Sequence, residues 1–144
     1  MKTEILFSSA RQDWATPQHI FDQLDAEFHF TLDPCADERN HKCDKYFTEA
    51  DNGLDRDWSG ERVFCNPPYS DVKAWAKKCF DECYCGKCEL AVMLVPARVD
   101  TQWFHQYIYH KSEIRFLEGR LKFGGHSVNA PFPSMIVIFR GRGK

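Results

Sequence analysis

The chain lacks any apolar run approaching the roughly 20 residues that a bilayer-spanning helix needs. Nothing at its start has the pattern of a secretory signal. Neither a membrane partner nor export is therefore expected, and the chain reads as cytoplasmic. It also has little net charge, −2, since 19 Lys and Arg stand against 21 Asp and Glu. With 144 residues it has length for one domain, which leaves residues 1–13 as a loosely held polar arm and residues 14–144 as a single folded unit. The seven cysteines have no secretory context, so thiols or a metal site are expected rather than disulfides.

The charge that is present is unevenly spread. Residues 1–62 hold 7 basic and 14 acidic side chains, residues 63–110 hold 5 of each, and residues 111–144 hold 7 basic and 2 acidic. A basic final third on an otherwise acidic chain is a modest sign of a side that faces a polyanion.

The most informative stretch is Val63-Phe64-Cys65-Asn66-Pro67-Pro68-Tyr69-Ser70. It reads as a short apolar strand ended by two prolines, which fix φ and cannot donate to a sheet ladder. Each residue before a proline is pushed to extended geometry, so Asn66 and Pro67 form a stiff corner. In open α/β sheets such strand ends border the ligand crevice. The corner aims two acceptors, the Asn66 side-chain oxygen and the Pro67 carbonyl, at one point. That arrangement suits an exocyclic amine, with the Tyr69 ring available to stack on a flat base.

Upstream, Thr16 reads as an N-cap and Pro17 as a first helical residue. Ile20, Phe21, Leu24 and Phe28 then recur at helical spacing, so residues 17–28 are expected to be a helix. Phe30-Thr31-Leu32-Asp33-Pro34-Cys35-Ala36-Asp37 reads as a strand that ends in an acid and a proline, placing Asp33 where a cationic ligand group would be met. Residues 37–62 are charge-rich, with room for a loop or short helix, a short strand near 46–48, and a turn at Asp51-Asn52-Gly53-Leu54. Val72 to Tyr84 reads as a helix with Val72, Trp75, Ala76, Cys79 and Phe80 on one face. Glu89 to Pro96 is a continuous apolar run suited to a buried strand. Thr101 is placed to cap a helix through Phe104, Tyr107 and Ile108. Residues 114–117 read as a strand continued past Gly119 to Phe123, residues 124–130 as a loop able to enter a groove, and residues 133–139 as the last strand. Strands alternate with helices and then pair off, giving an α/β fold with a mixed sheet, antiparallel at its C-terminal edge.

Asn66-Pro67-Pro68-Tyr69 resembles the catalytic motif of the amino-methyltransferases. Together with the Thr16-Pro17 turn, Asp33-Pro34-Cys35-Ala36, the later Leu-Val-Pro-Ala-Arg and Gly-Arg-Leu-Lys-Phe segments and the Pro-Phe-Pro-Ser-Met segment, nearly the whole chain is similar to the small phage-type DNA N6-adenine methyltransferases (Dam-like). The resemblance implies a Rossmann-like sheet that uses S-adenosylmethionine to methylate a flipped-out adenine in DNA, with no separate target-recognition domain. It implies catalytic roles for Asn66, Pro67, Pro68 and Tyr69. It implies cofactor contacts for Trp14, Thr16, Pro17, Asp33, Pro34, Cys35, Ala36 and Asn66, with Glu49 toward the ribose and Asp51 toward the adenine amino group. For a phage- or prophage-encoded chain it also implies a bacterial host cytoplasm as the setting. The chain departs from the family pattern at Asp37, where glycine is usual.

Arg98, Arg115, Arg120, Lys122, Arg140, Arg142 and Lys144 are the candidates for DNA phosphate contacts. Specificity is then short, borrowed from a partner, or supplied by a second copy in a homodimer. Cys79, Cys83, Cys85 and Cys88 offer four thiolates for zinc, but they lack the two separated knuckles of common zinc sites, and free thiols are favoured. Two alternatives stand beside the main reading: methylation of RNA or of a protein glutamine, and a methyltransferase-like DNA-binding module without turnover.

Overall fold

The computed structural model describes residues 15–123 and 129–143. The expected N-terminal arm, Trp14, Lys144 and most of the 124–130 loop lie outside them. The chain forms α1 (Gln18–Phe28), β1 (Arg62–Cys65), α2 (Val72–Tyr84), β2 (Leu90–Pro96), β3 (Glu113–Phe116) and β4 (Ser134–Arg140). The sheet runs β1-β2-β4-β3. β1 is parallel to β2, with Val63 opposite Ala91, and β4 is antiparallel to both β2 and β3. The fold is thus mixed α/β, and the C-terminal ends of β1, β2 and β3 meet the start of β4 at one end of the sheet.

β1, β2 and β4 are apolar on both faces because both of their faces are covered. Val63, Cys65, Ala91, Met93, Val95, Met135, Val137 and Phe139 pack toward α2 and its Trp75, Ala76 and Cys79. Their neighbours Phe64, Leu90, Val92, Leu94, Ile136 and Ile138 pack toward Phe21, Leu24 and Phe28 of α1. Period-2 alternation therefore splits one continuous hydrophobic run between two layers. Burying each large apolar side chain is worth about 1.5–3 kcal/mol. Phe21 meets Phe64 edge-on at 5.2 Å, which seats the first turn of α1 over the end of β1.

Several sequence expectations are corrected. Thr16 does not cap α1: Pro17 holds the cap position without a side-chain hydrogen bond, and the helix begins at Gln18. Residues 30–37 do not form a strand; single parallel bridges join Leu32 to Val63 and Asp33 to Tyr46, because Pro34 ends the ladder at once. The short strand expected near 46–48 is reduced to that same Tyr46 bridge. Residues 118–123 do not continue β3. Past the bond from the Leu117 N–H to the Ser134 carbonyl, the two segments meet again where the Ala130 N–H donates to the Leu121 carbonyl at 2.8 Å, but Pro131 and Pro133 have no N–H with which to fill the ladder between. The helix expected after Thr101 is a π-helical turn, Phe104–Ile108, although Thr101 Oγ1 does accept the Phe104 N–H at 3.4 Å.

Gly53 shows why the 51–55 turn can lie so close to Pro34. A Cβ there would stand 2.2 Å from the Pro34 carbonyl oxygen and 3.1 Å from the Trp75 ring. The buried Trp58 indole N–H donates to the Gly53 carbonyl at 3.0 Å, holding the turn in place. Gly53→Ala is therefore expected to cost about 1–3 kcal/mol, read as a fall of several degrees in Tm. An unchanged Tm would show that the turn is not clamped in this way.

Candidate active site

Chain folding brings Asp33 and the prolyl corner into one crevice. A pocket at the strand-end side of β1 is lined by Ala15, Thr16, Asp33, Cys35, Ala36, Lys42 and Phe64, with Asn66, Pro67, Pro68 and Tyr69 completing its wall. A second lobe is lined by Pro34, Cys35, Thr48, Glu49, Asn52, Leu54, Pro68 and Trp75. The two lobes share Cys35 and Pro68.

The Asn66 carboxamide is held at both ends. Its Nδ2 donates to Thr16 Oγ1 at 3.0 Å, and its Oδ1 accepts from the Tyr69 hydroxyl at 3.3 Å. Among the described residues the Pro67 carbonyl accepts no backbone hydrogen bond outside the regular elements. The Tyr69 ring is boxed by Phe132 at 5.2 Å and Phe123 at 6.2 Å, both edge-on. Burial pushes the Tyr69 phenol well above its usual range, so it stays a hydrogen-bond donor.

Asp33 is 5% exposed. Its carboxylate accepts the Lys42 N–H at 2.9 Å and, more loosely, the Cys35 N–H at 3.4 Å. These bonds tie the following loop to the strand end. Burial nevertheless prevails and raises the carboxyl from 3.8 to about 6. Lys42 is half-buried, and its ammonium donates to Gln18 Oε1 at 2.8 Å. Desolvation pulls its pKa down, opposed by Asp33 and Asp22.

The loop between them explains the departure at position 37. Asp37 Oδ1 accepts the N–H groups of Arg39 and Asn40 at 2.9 and 2.7 Å. This side-chain-closed turn stands where a glycine-rich helix entry is usual. Asp37, Asn40 and Lys42 all line the first pocket. The sequence reading assigned none of them a role, and the Asp-x-x-Asn turn signal at 37–40 was the available clue.

The remaining expected site residues fall in different places. Glu49 lines the second lobe. Asp51 does not line either lobe; it accepts from the Thr48 N–H and hydroxyl, bonds that lower its pKa. Arg98, Arg120 and Lys122 follow the C-terminal ends of β2 and β3, on the pocket's end of the sheet. Arg98 lies over the Phe132 ring at 5.8 Å. Arg140 sits opposite Leu90 at the other end, paired with Glu113 at 2.9 Å, and Arg142 lies over Tyr84 at 4.4 Å. Arg115 makes a two-pronged pair with Glu27 at 2.7 and 2.8 Å and a further bond to Glu113. Such exposed pairs are screened by solvent and add little to stability.

Of the four clustered cysteines, Cys79, Cys83 and Cys88 are buried while Cys85 is exposed. Cys83 reaches the Phe139 carbonyl, Cys88 the Glu61 and Leu90 carbonyls, and Cys85 the Glu82 carbonyl. Among the described residues no three Cys, His, Asp or Glu side chains are gathered to hold a metal ion. No helix among them is long and apolar enough to cross a membrane.

The family described as DNA N-6-adenine-methyltransferase (Dam) matches residues 4–142. A DNA N-6-adenine-methyltransferase of Haemophilus phage HP1 is 30% identical over 134 residues, covering 88% of this chain and 77% of that protein. One from Escherichia phage T1 is 30% identical over 115 residues, 78% of this chain and 48% of its own length. The putative methyltransferase YfdM of Escherichia coli K12 is 44% identical over 64 residues, 39% of this chain and 69% of that protein.

Asp33 makes a measurable prediction for the ligand-free chain. Its folded pKa of about 6 exceeds the ordinary 3.8. The group therefore favours folding below pH 4, and that contribution is lost as pH rises through 6. Relative to wild type, Asp33→Asn is expected to gain up to about 3 kcal/mol of stability between pH 4 and pH 7.5, measured by urea denaturation. A flat or opposite trend would mean that the backbone donors, not burial, govern this carboxylate.

Proposed function

The chain belongs to the DNA N-6-adenine-methyltransferase (Dam) family, and from that premise we propose that the crevice between Asp33 and Asn66 is where adenine N6 in DNA receives its methyl group. The observation that carries the reading is one pocket lined by both the buried acid and the prolyl corner.

The residues present fit S-adenosylmethionine. Asp33 is an almost wholly buried carboxylate whose ionisation a cationic ligand would restore, and Lys42 offers a cation to a ligand carboxylate on the same wall. The second lobe combines the Glu49 carboxylate and Asn52 amide with the apolar walls of Leu54, Pro68 and Trp75, a composition suited to a ribose and a flat base. When bound, S-adenosylmethionine supplies a methyl group on a sulfonium, an electrophile that needs no metal. The order of the strands, with residues 31–33 and 45–47 pairing in parallel outside β1, supports a Rossmann-like methyltransferase sheet with its crevice at the strand ends.

The chain's own part is positioning and electrostatics. The adenine N6 lone pair is delocalised into the ring and attacks poorly. Asn66 Oδ1 and the Pro67 carbonyl accept its two N–H groups and favour a pyramidal nitrogen, directing the lone pair across the pocket. The base leaves the duplex to get there, at a cost of a few kcal/mol that stacking on Tyr69 offsets. Methylated N6 is briefly cationic and releases its proton to water, so no basic side chain is required. In this reading Arg98, Arg120 and Lys122, on the same end of the sheet, meet the phosphates flanking that base.

Asn66→Ala tests the assignment. Labelled-methyl transfer to duplex DNA is expected to fall by about 10²–10³-fold or more, while calorimetry shows S-adenosylmethionine binding within a few-fold of wild type. Retained transfer, or lost cofactor binding, would move the catalytic role elsewhere.

A further inference from the structure

We propose that Thr16 is a positioning residue for methyl transfer, acting through the Asn66 carboxamide. The proposal rests on the assignment of Asn66 just given, and it gives Thr16 a role separate from cofactor contact.

A planar carboxamide works as an acceptor for N6 only when its plane and its oxygen are turned to the base. Rotation about its last bond is soft, and half a turn would present the amino group instead, donor against donor. The structure supplies a restraint at each end. Tyr69 donates to Oδ1, and Thr16 accepts from Nδ2, 50 residues away in sequence.

The Tyr69 contact is the looser one at 3.3 Å, and it comes from the same prolyl corner, so it moves with Asn66. The Thr16 contact is shorter at 3.0 Å and comes from a different element. Thr16 is 5% exposed. It directly precedes Pro17, whose carbonyl accepts the N–H groups of Ile20 and Phe21, and Phe21 is locked edge-on against Phe64 two residues before Asn66. Thr16 Oγ1 is therefore a fixed external anchor for the amino end of the carboxamide. With Nδ2 anchored there, Oδ1 is the end presented to the substrate N6–H, beside the Tyr69 hydroxyl.

This also accounts for Thr16 failing to cap α1: its side chain is turned away from the helix toward β1. A hydroxyl acceptor is needed, and the methyl is not. Serine should therefore serve, and valine, of nearly the same shape, should not.

The test is the single-turnover rate of methyl transfer at saturating S-adenosylmethionine, with cofactor affinity measured separately by calorimetry. Thr16→Val is expected to lower the rate by about 10–100-fold, as a misplaced reacting group does, with cofactor affinity within about threefold. Thr16→Ser is expected to restore the rate to within a few-fold of wild type. A wild-type rate in Thr16→Val overturns the proposal, as does a deficit that disappears when more cofactor is supplied or one that Thr16→Ser shares. Should the valine variant not unfold cooperatively, Thr16→Ala against Thr16→Ser gives the same comparison. Asn66→Ala run alongside separates the two claims: if it keeps turnover, the reading of the site fails, whereas if it is inactive while Thr16→Val is fully active, only the positioning role fails.

Discussion

The organisation of this protein depends on a strand that is made to stop. β1 has the apolar residues to continue, but Pro67 and Pro68 remove two successive ladder donors, and the chain turns with Asn66 at the apex. Everything that gives Asn66 a purpose is then brought to that point by packing. The Phe21–Phe64 contact seats α1 so that Thr16 meets the carboxamide. The parallel bridge of Leu32 with Val63 lays Asp33 alongside. A corner without these neighbours would be only a turn.

The acid across the pocket adds an electrostatic counterpart. Asp33 is buried beyond what its two backbone donors compensate, the kind of cost that clusters at functional sites. The same bonds bind the 35–42 loop to the strand end, so Asp33 shapes the pocket as well as charging it. Trp58 and Gly53 do comparable work one layer further out, pressing the 51–55 turn against Pro34 so that a second lobe opens beside the first.

Much of this was legible in the sequence because local rules and long-range packing agree there. The bounds of α2, the apolar run of β2 and the stop after Cys65 follow from periodicity and proline chemistry, which tertiary contacts do not override. Legibility failed where a side chain serves something distant. Thr16 has the makings of a helix cap, but its hydroxyl is taken by Asn66, a partner no local pattern reveals. Residues 118–123 have strand character, but Pro131 and Pro133 interrupt the ladder they would join, leaving the bond from the Ala130 N–H to the Leu121 carbonyl. Arg115 and Arg140 read as phosphate contacts from composition, yet in the ligand-free chain both lie against Glu27 or Glu113. Lys42 was hidden in a run of charges and became visible only when its backbone closed on Asp33.

The most direct test is a crystal structure of the chain with a short adenine-containing duplex and an unreactive S-adenosylmethionine analogue. The account predicts one adenine out of the stack with its N6 within hydrogen-bond distance of both Asn66 Oδ1 and the Pro67 carbonyl, and the analogue's cationic groups beside Asp33. An amide turned so that Nδ2 faces the base, or a base and analogue in separate cavities, would contradict it.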